Sequence, residues 1–160
     1  MIKRIMGVAA AVLLLAACSN NAPPTTGGGP SSGLGGTGAG YAPGSQQDLA
    51  ATAGDRVFFA YDQSTISPEG QQILQRQADW LKRYGNVAVT IEGHCDERGT
   101  REYNLALGER RAAAVKAVLV ALGIPTSRIS TISYGKERPI VVGSDEEGYA
   151  QNRVGITTVH

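Results

Sequence analysis

The stretch between residues 19 and 53 contains almost no side chains from which a hydrophobic core could be built. It consists mostly of Gly, Pro, Ser, Thr and Ala, in a chain of 160 residues. Such a segment cannot bury enough apolar surface to offset the conformational entropy lost on ordering, so we expect a disordered tether. Residues 54–160, about 107 in number, are enough for one small domain with a single core.

The N-terminal sequence MIKRIMGVAAAVLLLAACSN has the layout of a secretory signal. Two basic residues, Lys3 and Arg4, precede an apolar run of about 13 residues. A helix that crosses a membrane needs roughly 20 residues, so this run is too short to span one. A basic start followed by a short apolar run predicts a signal peptide over residues 1–17.

The sequence Leu-Ala-Ala-Cys at the end of the apolar run resembles a bacterial lipobox. This resemblance implies cleavage before Cys18 and acylation of that residue, which would anchor the chain firmly in a membrane. Residues 18–53 would then be the lipidated Cys and the flexible tether that follows it. Ser19, the next residue, implies sorting to the outer membrane, with the domain facing the periplasm. The alternative is an ordinary signal peptide that happens to end at a cysteine.

Charge and cysteine content narrow the classes of function. A formal net charge of +1 gives no indication of nucleic-acid binding. If Cys18 is lipidated, Cys95 has no partner in the chain for a disulfide. Cys95 is therefore either a small buried residue or a reactive thiol.

Hydrophobic patterning over residues 54–160 alternates between the periods of strands and helices. The predicted order is strand 56–60, a helix from Ser67-Pro68 to Gly85, strand 87–92, helix 102–122, strand 128–134, a helical turn at 144–147 and strand 154–159. This order predicts a two-layer α/β sandwich, βαβαβ(α)β, with helices packed on a mixed four-stranded sheet.

The run GHCDERGTREYNLALGERRA, residues 93–112, concentrates the polar chemistry of the chain between a strand and a helix. Open α/β sheets place ligand sites at such strand ends, where the helix N-terminus also favours an anion. Gly99 allows the sharp turn between the two elements.

Arg111 is the anomalous residue of this run, because it lies on the apolar stripe of the second helix together with Asn104. Arg110 lies about 100° away, and Arg98 in the loop is interpreted as a solvated charge. Arginine is rarely buried without a partner. Asp96 is the nearest candidate, either as a structural ion pair or as half of a site in which a zwitterion bridges both groups.

Three stretches resemble the OmpA-like peptidoglycan-binding domain family: VFFAYDQSTISPEG, VTIEGHCDERGTREYNLALGERRAAAVKAVL and RISTISYGKERPI. The resemblance covers about residues 55–160, and the lipobox extends it to the peptidoglycan-associated lipoproteins of that family. It implies an OmpA-like fold and non-covalent binding of peptidoglycan, through meso-diaminopimelate in uncrosslinked stem peptides.

The motifs of the family imply the site residues. Asp96 matches the Asp of G-H-x-D-x-x-G, which contacts diaminopimelate. Arg111 matches the Arg of N-x-x-L-x-x-x-R-A, which binds its carboxylate, and Asn104 matches the Asn of that motif. Tyr61 and Asp62 match a first-strand segment that lines the pocket. The predicted ligand-binding residues are therefore Tyr61, Asp62, Asp96, Gly99, Asn104 and Arg111.

The chain departs from the family pattern at two positions. Cys95 stands where Ala or Thr is common, which favours a small structural residue. Val154 stands where the family often has a second Arg after Asn152-Arg153, so no ligand role is carried over to that position.

Two other interpretations use the same loop. A Cys–His hydrolase would need Cys95 and His94 to cooperate, but adjacent residues on an extended backbone point to opposite faces. A metal site built from His94, Asp96 and Glu97 would offer few ligands. We therefore expect no catalysis, no metal and no cofactor, and we expect His94 to support the pocket by hydrogen-bonding the loop.

The resemblance also implies protein partners, namely TolB and other Tol proteins, with roles in envelope integrity and cell division. The segment Tyr134–Arg138 is a candidate contact for such a partner, although an ordinary loop would have the same composition. The alternative function is thus a periplasmic protein-interaction module, for which wall binding is secondary.

Overall fold

One mixed sheet organises residues 40–160, the part of the chain that the structure, a computed structural model, describes. Its strands are β1 (Arg56–Phe58), β2 (Val89–His94), β3 (Ile129–Gly135) and β4 (Val154–Val159), in the spatial order β1-β4-β2-β3. β2 and β3 are parallel, whereas β4 is antiparallel to both β1 and β2. The predicted mixed four-stranded α/β sheet is confirmed, and the leader and Cys18 lie outside the described residues.

Two long helices pack against this sheet and against each other. The long helices are α2 (Pro68–Arg83) and α3 (Arg101–Ala121). Two short helices, α1 (Gln46–Thr52) and α4 (Glu146–Asn152), and a 3₁₀ turn at Thr126–Arg128 complete the set within residues 40–160. The predicted start of α2 is confirmed, since the Ser67 hydroxyl accepts a hydrogen bond from Gly70 N at 3.1 Å and Pro68 is the first helical residue. α4 begins at Glu146, two residues after the start of the helical turn predicted at 144–147, because the side chain of Asp145 caps it.

The N-terminal border of the domain differs from the sequence-based expectation. The prediction that the tether is disordered up to residue 53 is wrong for its last residues, because residues 46–52 form α1. Ser45 caps this helix, Leu49 is completely buried in the core, and Trp80 Nε1 donates to Asp48 Oδ2 at 3.0 Å. A segment this poor in apolar residues folds because the rest of the domain offers Leu49 a place to pack.

The core lies between the helices and the sheet. Completely buried side chains come from every layer: Leu49, Val57, Leu74, Ala78, Leu81, Ile91, Ala112, Val115 and Leu119. Burial of each Leu, Ile or Val contributes roughly 1.5–3 kcal/mol. Within residues 40–160, none of the helices is both long and apolar enough to cross a membrane.

A close approach of two glycines sets the position of α3 on the sheet. A side chain on Gly93 in β2 would collide with the Gly108 carbonyl in α3. With no side chain on either residue, α3 lies directly on β2. This contact brings the N-terminal half of α3, including Arg111, beside the loop that follows β2.

Candidate ligand pocket

A cavity of about 180 Å³ opens where the segment after β1, the loop after β2 and the first turns of α3 meet. Its walls are formed by Tyr61, Asp62, Cys95, Asp96, Arg98, Gly99, Tyr103, Asn104, Leu107 and Arg111. All six residues predicted to bind a ligand therefore line one cavity, together with Arg98 and Tyr103. Two carboxylates and two guanidinium groups face a space large enough for the end of one amino-acid side chain.

The loop between β2 and α3 is held by hydrogen bonds at its own turn. Gly99 has φ 93°, a left-handed conformation that favours glycine. Thr100 caps α3 by accepting from Tyr103 N at 3.2 Å. Asn104 Nδ2 donates to the carbonyls of Arg98 at 2.8 Å and Thr100 at 3.1 Å. Asn104 thus braces the loop.

Arg111 is completely buried at the floor of the pocket, as its place on the apolar stripe predicts. Its guanidinium donates to three backbone carbonyls: Gln63 O at 2.8 Å, His94 O at 2.8 Å and Ala60 O at 3.2 Å. None of the ion pairs formed within residues 40–160 includes it. The structural alternative, an Asp96–Arg111 ion pair, is therefore wrong, because each residue is held by other groups.

The charge of Arg111 is consequently not matched by any carboxylate in contact with it in the described part of the chain. Burial lowers the pKa of Arg111. A guanidinium nevertheless remains protonated in proteins, and the three carbonyls supply only partial negative charge. The pocket floor therefore carries a buried cation that an anionic group would stabilise.

Asp96 forms one wall of the pocket and is itself buried. Its Oδ2 accepts from Arg98 Nη2 at 2.6 Å and from Arg153 Nη1 at 3.3 Å, and its Oδ1 accepts from Arg98 N at 3.1 Å. Burial by itself would raise the pKa of Asp96, but the hydrogen bonds from Arg98 and Arg153 lower it below the ordinary value. Asp96 is therefore ionised at neutral pH.

Asp62 is the second carboxylate that lines the cavity, and it is exposed. It is the sole non-glycine residue between 40 and 160 with positive φ, at 55°, a left-handed conformation that costs energy and persists only where the surroundings hold it. The Tyr103 hydroxyl donates to Asp62 Oδ1, and this hydrogen bond raises the pKa of Tyr103. Tyr103 thus fixes the direction in which the Asp62 carboxylate faces.

A family model described as the OmpA family matches residues 58–153, more than half of the chain. The chain belongs to the OmpA family. It is 57% identical over 127 residues to the peptidoglycan-associated lipoprotein of Agrobacterium fabrum, a match that covers 79% of this chain and 71% of that protein.

Solved structures agree with this membership in the OmpA family. The peptidoglycan-associated lipoprotein from Burkholderia pseudomallei aligns with a TM-score of 0.65 at 40% identity, covering 66% of this chain and 90% of that one. The C-terminal domain of Helicobacter pylori MotB aligns with a TM-score of 0.62 at 21% identity, covering 66% and 84%. At that identity the second alignment shows the fold alone.

Arg98 lines the pocket of this OmpA-family domain, although the sequence does not indicate it as a pocket residue. It was predicted to be a solvated charge, which is wrong. Its guanidinium carbon lies 4.2 Å from the ring centre of Tyr61 and 4.4 Å from that of Tyr149. Tyr149 belongs to α4, about fifty residues further along the chain, so no local pattern could have indicated the contact.

Arg153 was also missed as a neighbour of Asp96. It lies immediately before β4, and its Nε donates to Phe59 O at 3.1 Å while Nη1 reaches Asp96. A signal existed, since an arginine directly before an apolar strand requires an acidic partner if it is buried. Val154, where the family often has Arg, is completely buried in β4 instead.

His94 contributes to the OmpA-family pocket through its backbone carbonyl, and Cys95 is part of the pocket wall. The His94 carbonyl accepts from Arg111, while its ring Nδ1 lies 3.0 Å from Arg138 O rather than from the loop it was expected to brace. Its Nε2 lies 3.5 Å from Glu92 Oε2, within ion-pair range but without hydrogen-bond geometry. The buried Cys95 thiol donates to Asn104 O at 3.3 Å, and burial raises its pKa.

Proposed function

We propose that this chain is a lipoprotein that binds peptidoglycan non-covalently and tethers the outer membrane to the cell wall. Its relatives named peptidoglycan-associated lipoprotein support this function at 54–57% identity. One observation carries the proposal: a single cavity is lined by the buried cation Arg111 and by the carboxylates of Asp62 and Asp96. Neither carboxylate, nor any other among residues 40–160, is in contact with Arg111. A site with both signs of charge suits a ligand group that carries both.

The proposed ligand group is the free end of meso-diaminopimelate in an uncrosslinked stem peptide, which carries an ammonium and a carboxylate on one carbon. The ligand carboxylate would accept from Arg111, whose guanidinium has five N–H groups, of which three bond to backbone carbonyls. The ligand ammonium would bind on the side of Asp62 and Asp96. Lysine, which has the ammonium without this carboxylate, would leave Arg111 unmatched.

The proposed function includes no catalysis. A thiol must ionise to act as a nucleophile, and burial disfavours this at Cys95. The His94 ring contacts Arg138 O and is not among the hydrogen-bond partners of the Cys95 thiol. Within residues 40–160, no group of three His, Cys, Asp or Glu side chains is arranged to hold a metal ion. Binding without chemistry is the use of the pocket that we propose.

The proposal extends to the anchor and to the partners. Acylated Cys18 would hold the chain in the outer membrane, with the domain on the periplasmic side. TolB and other Tol proteins are the proposed protein partners, in a system that maintains the envelope during division. The guanidinium of Arg138 lies 4.0 Å from the ring centre of Tyr134. This pair offers a flat cationic surface for such a partner.

The direct test is co-sedimentation of the full-length chain with isolated peptidoglycan sacculi. We expect the wild-type chain to sediment and Asp96→Asn to remain in solution. Asp79→Asn is the matched control, because it makes the same chemical change on the exposed surface of α2. A diaminopimelate-containing peptide should release the wild-type chain, whereas the lysine-containing analogue should not. Equal sedimentation of Asp96→Asn, or release by both peptides, would reject the pocket as the binding site.

A further inference from the structure

Asp96 already has cations in the place where the proposed ligand would put its ammonium. Arg98 and Arg153 both contact Oδ2, at 2.6 and 3.3 Å. Both arginines also reach Glu146 of α4, Arg98 at 3.4 Å and Arg153 at 2.9 Å, so the four groups form a closed ring of alternating charge. The Glu146 side chain is 68% exposed, so water screens its charge more than that of Asp96.

A third cation brought to Asp96 would therefore meet two guanidinium groups, and one of them must withdraw. Arg153 is the fixed one, because its side chain is 9% exposed and its Nε is bonded to Phe59 O at 3.1 Å. Arg98 is held less firmly. Its side chain is 34% exposed, it lies on the wall of the cavity, and no backbone carbonyl among residues 40–160 accepts from its guanidinium.

Arg98 also has a place to which it can withdraw. Its Nη1 is already 3.4 Å from Glu146 Oε2, and its guanidinium carbon lies 4.4 Å from the centre of the Tyr149 ring. A guanidinium on an aromatic ring beside a carboxylate keeps favourable contacts after it leaves Asp96. The exchange of Arg98 for a ligand ammonium thus replaces one ion pair by another and does not leave Asp96 unpaired.

We propose that Arg98 is an internal competitor of the ligand: it occupies Asp96 in the free protein and must move toward α4 when the ligand ammonium binds. This inference rests on the proposed function. It makes Arg98 a specificity-determining residue, since an ammonium alone must displace a guanidinium already in place. A ligand that also brings a carboxylate to Arg111 gains a second contact that offsets this displacement.

The test measures the dissociation constant of a diaminopimelate-containing peptide for the full-length chain in detergent. We expect Arg98→Ala and Arg98→Gln to bind about two- to fivefold more tightly than the wild-type chain, the range of a partly exposed ion pair. Arg98→Gln retains a long side chain over the tyrosine rings, which serves if Arg98→Ala disturbs the loop. Arg101→Ala is the control, because it removes one positive charge from an exposed residue outside the cavity.

Repeating the measurement in an Asp96→Asn background tests whether the gain in affinity comes from the freed Asp96 carboxylate. In an Asp96→Asn background, removal of Arg98 should give no gain in affinity, since no carboxylate is set free. Equal or weaker binding by the Arg98 variants overturns the inference while leaving the proposed function intact, provided the wild-type chain binds the peptide. A gain that persists with Asn at position 96 overturns it as well. Failure of the wild-type chain to bind the peptide rejects both proposals.

Discussion

Arg111 and Asp96 line the same cavity without forming an ion pair with each other. Arg111 is held by three backbone carbonyls, and Asp96 by two other arginines. The separation matters because two groups paired with each other would neutralise their charges and leave little attraction for a zwitterion. Held apart, Arg111 keeps a charge that no carboxylate within residues 40–160 contacts, and a ligand ammonium would reach Asp96 by displacing one side chain, that of Arg98.

Replacement of Arg111 should destabilise the fold as well as abolish binding. Arg111→Lys leaves at least one of the three carbonyls without its donor, since a lysine ammonium cannot match the planar fork. We expect a loss of about 2–3 kcal/mol in the free energy of unfolding, measured by urea denaturation. The neighbouring Arg110→Lys, on the exposed face of α3, is the control and should change it by less than about 0.5 kcal/mol. Equal midpoints for both variants would contradict the assigned hydrogen bonds.

Asp96 should make stability depend on acidity in a definite direction. Its pKa in the folded protein lies below the ordinary value, so its contribution is present above the pKa of the unfolded chain, about 4, and is lost as pH falls toward the folded pKa. The melting temperature of Asp96→Asn should therefore lie below that of the wild-type chain at pH 7. The difference should shrink below about pH 4. A difference that stays constant down to pH 2 would show that the carboxylate is not stabilised by its arginines.

Tyr103→Phe tests whether the direction of the Asp62 carboxylate matters for binding. The hydroxyl donates to Asp62 on the exposed lip of the pocket, so its loss should leave stability within about 0.5 kcal/mol of the wild-type value. Affinity for the diaminopimelate-containing peptide should fall by about three- to tenfold, measured by calorimetry. Tyr41→Phe, on another exposed tyrosine, should bind as the wild-type chain does. Unchanged affinity in Tyr103→Phe would show that the direction of the Asp62 carboxylate does not matter for binding.

Leu49→Ala tests whether α1 belongs to the folded domain. Leu49 is completely buried against the core, and truncation of a buried leucine costs about 2–5 kcal/mol. Gln47→Ala, on the exposed face of the same helix, should cost much less. Both values follow from chemical denaturation of the full-length chain. A change below about 0.5 kcal/mol in the free energy of unfolding for Leu49→Ala would show that residues 46–52 belong to the tether and not to the folded domain.

The sequence predicts those parts of the pocket that depend on local pattern. The period of α3 places Arg111 on the buried face, and Asp96 and Gly99 lie in the turn before it, so their approach follows from one strand–turn–helix unit. Arg98 escapes prediction because its surroundings are made by Tyr149, which a different element supplies. α1 escapes for another reason: a helix with one buried apolar residue, Leu49, forms only where a finished core can receive it.

A structure of the full-length chain bound to a diaminopimelate-containing peptide tests the central claim most directly. We expect the ligand carboxylate to lie about 3 Å from an Arg111 nitrogen, with the ligand ammonium beside Asp62 or Asp96. The claim is contradicted if the peptide binds with its carboxylate away from Arg111, or if it lies outside the cavity altogether.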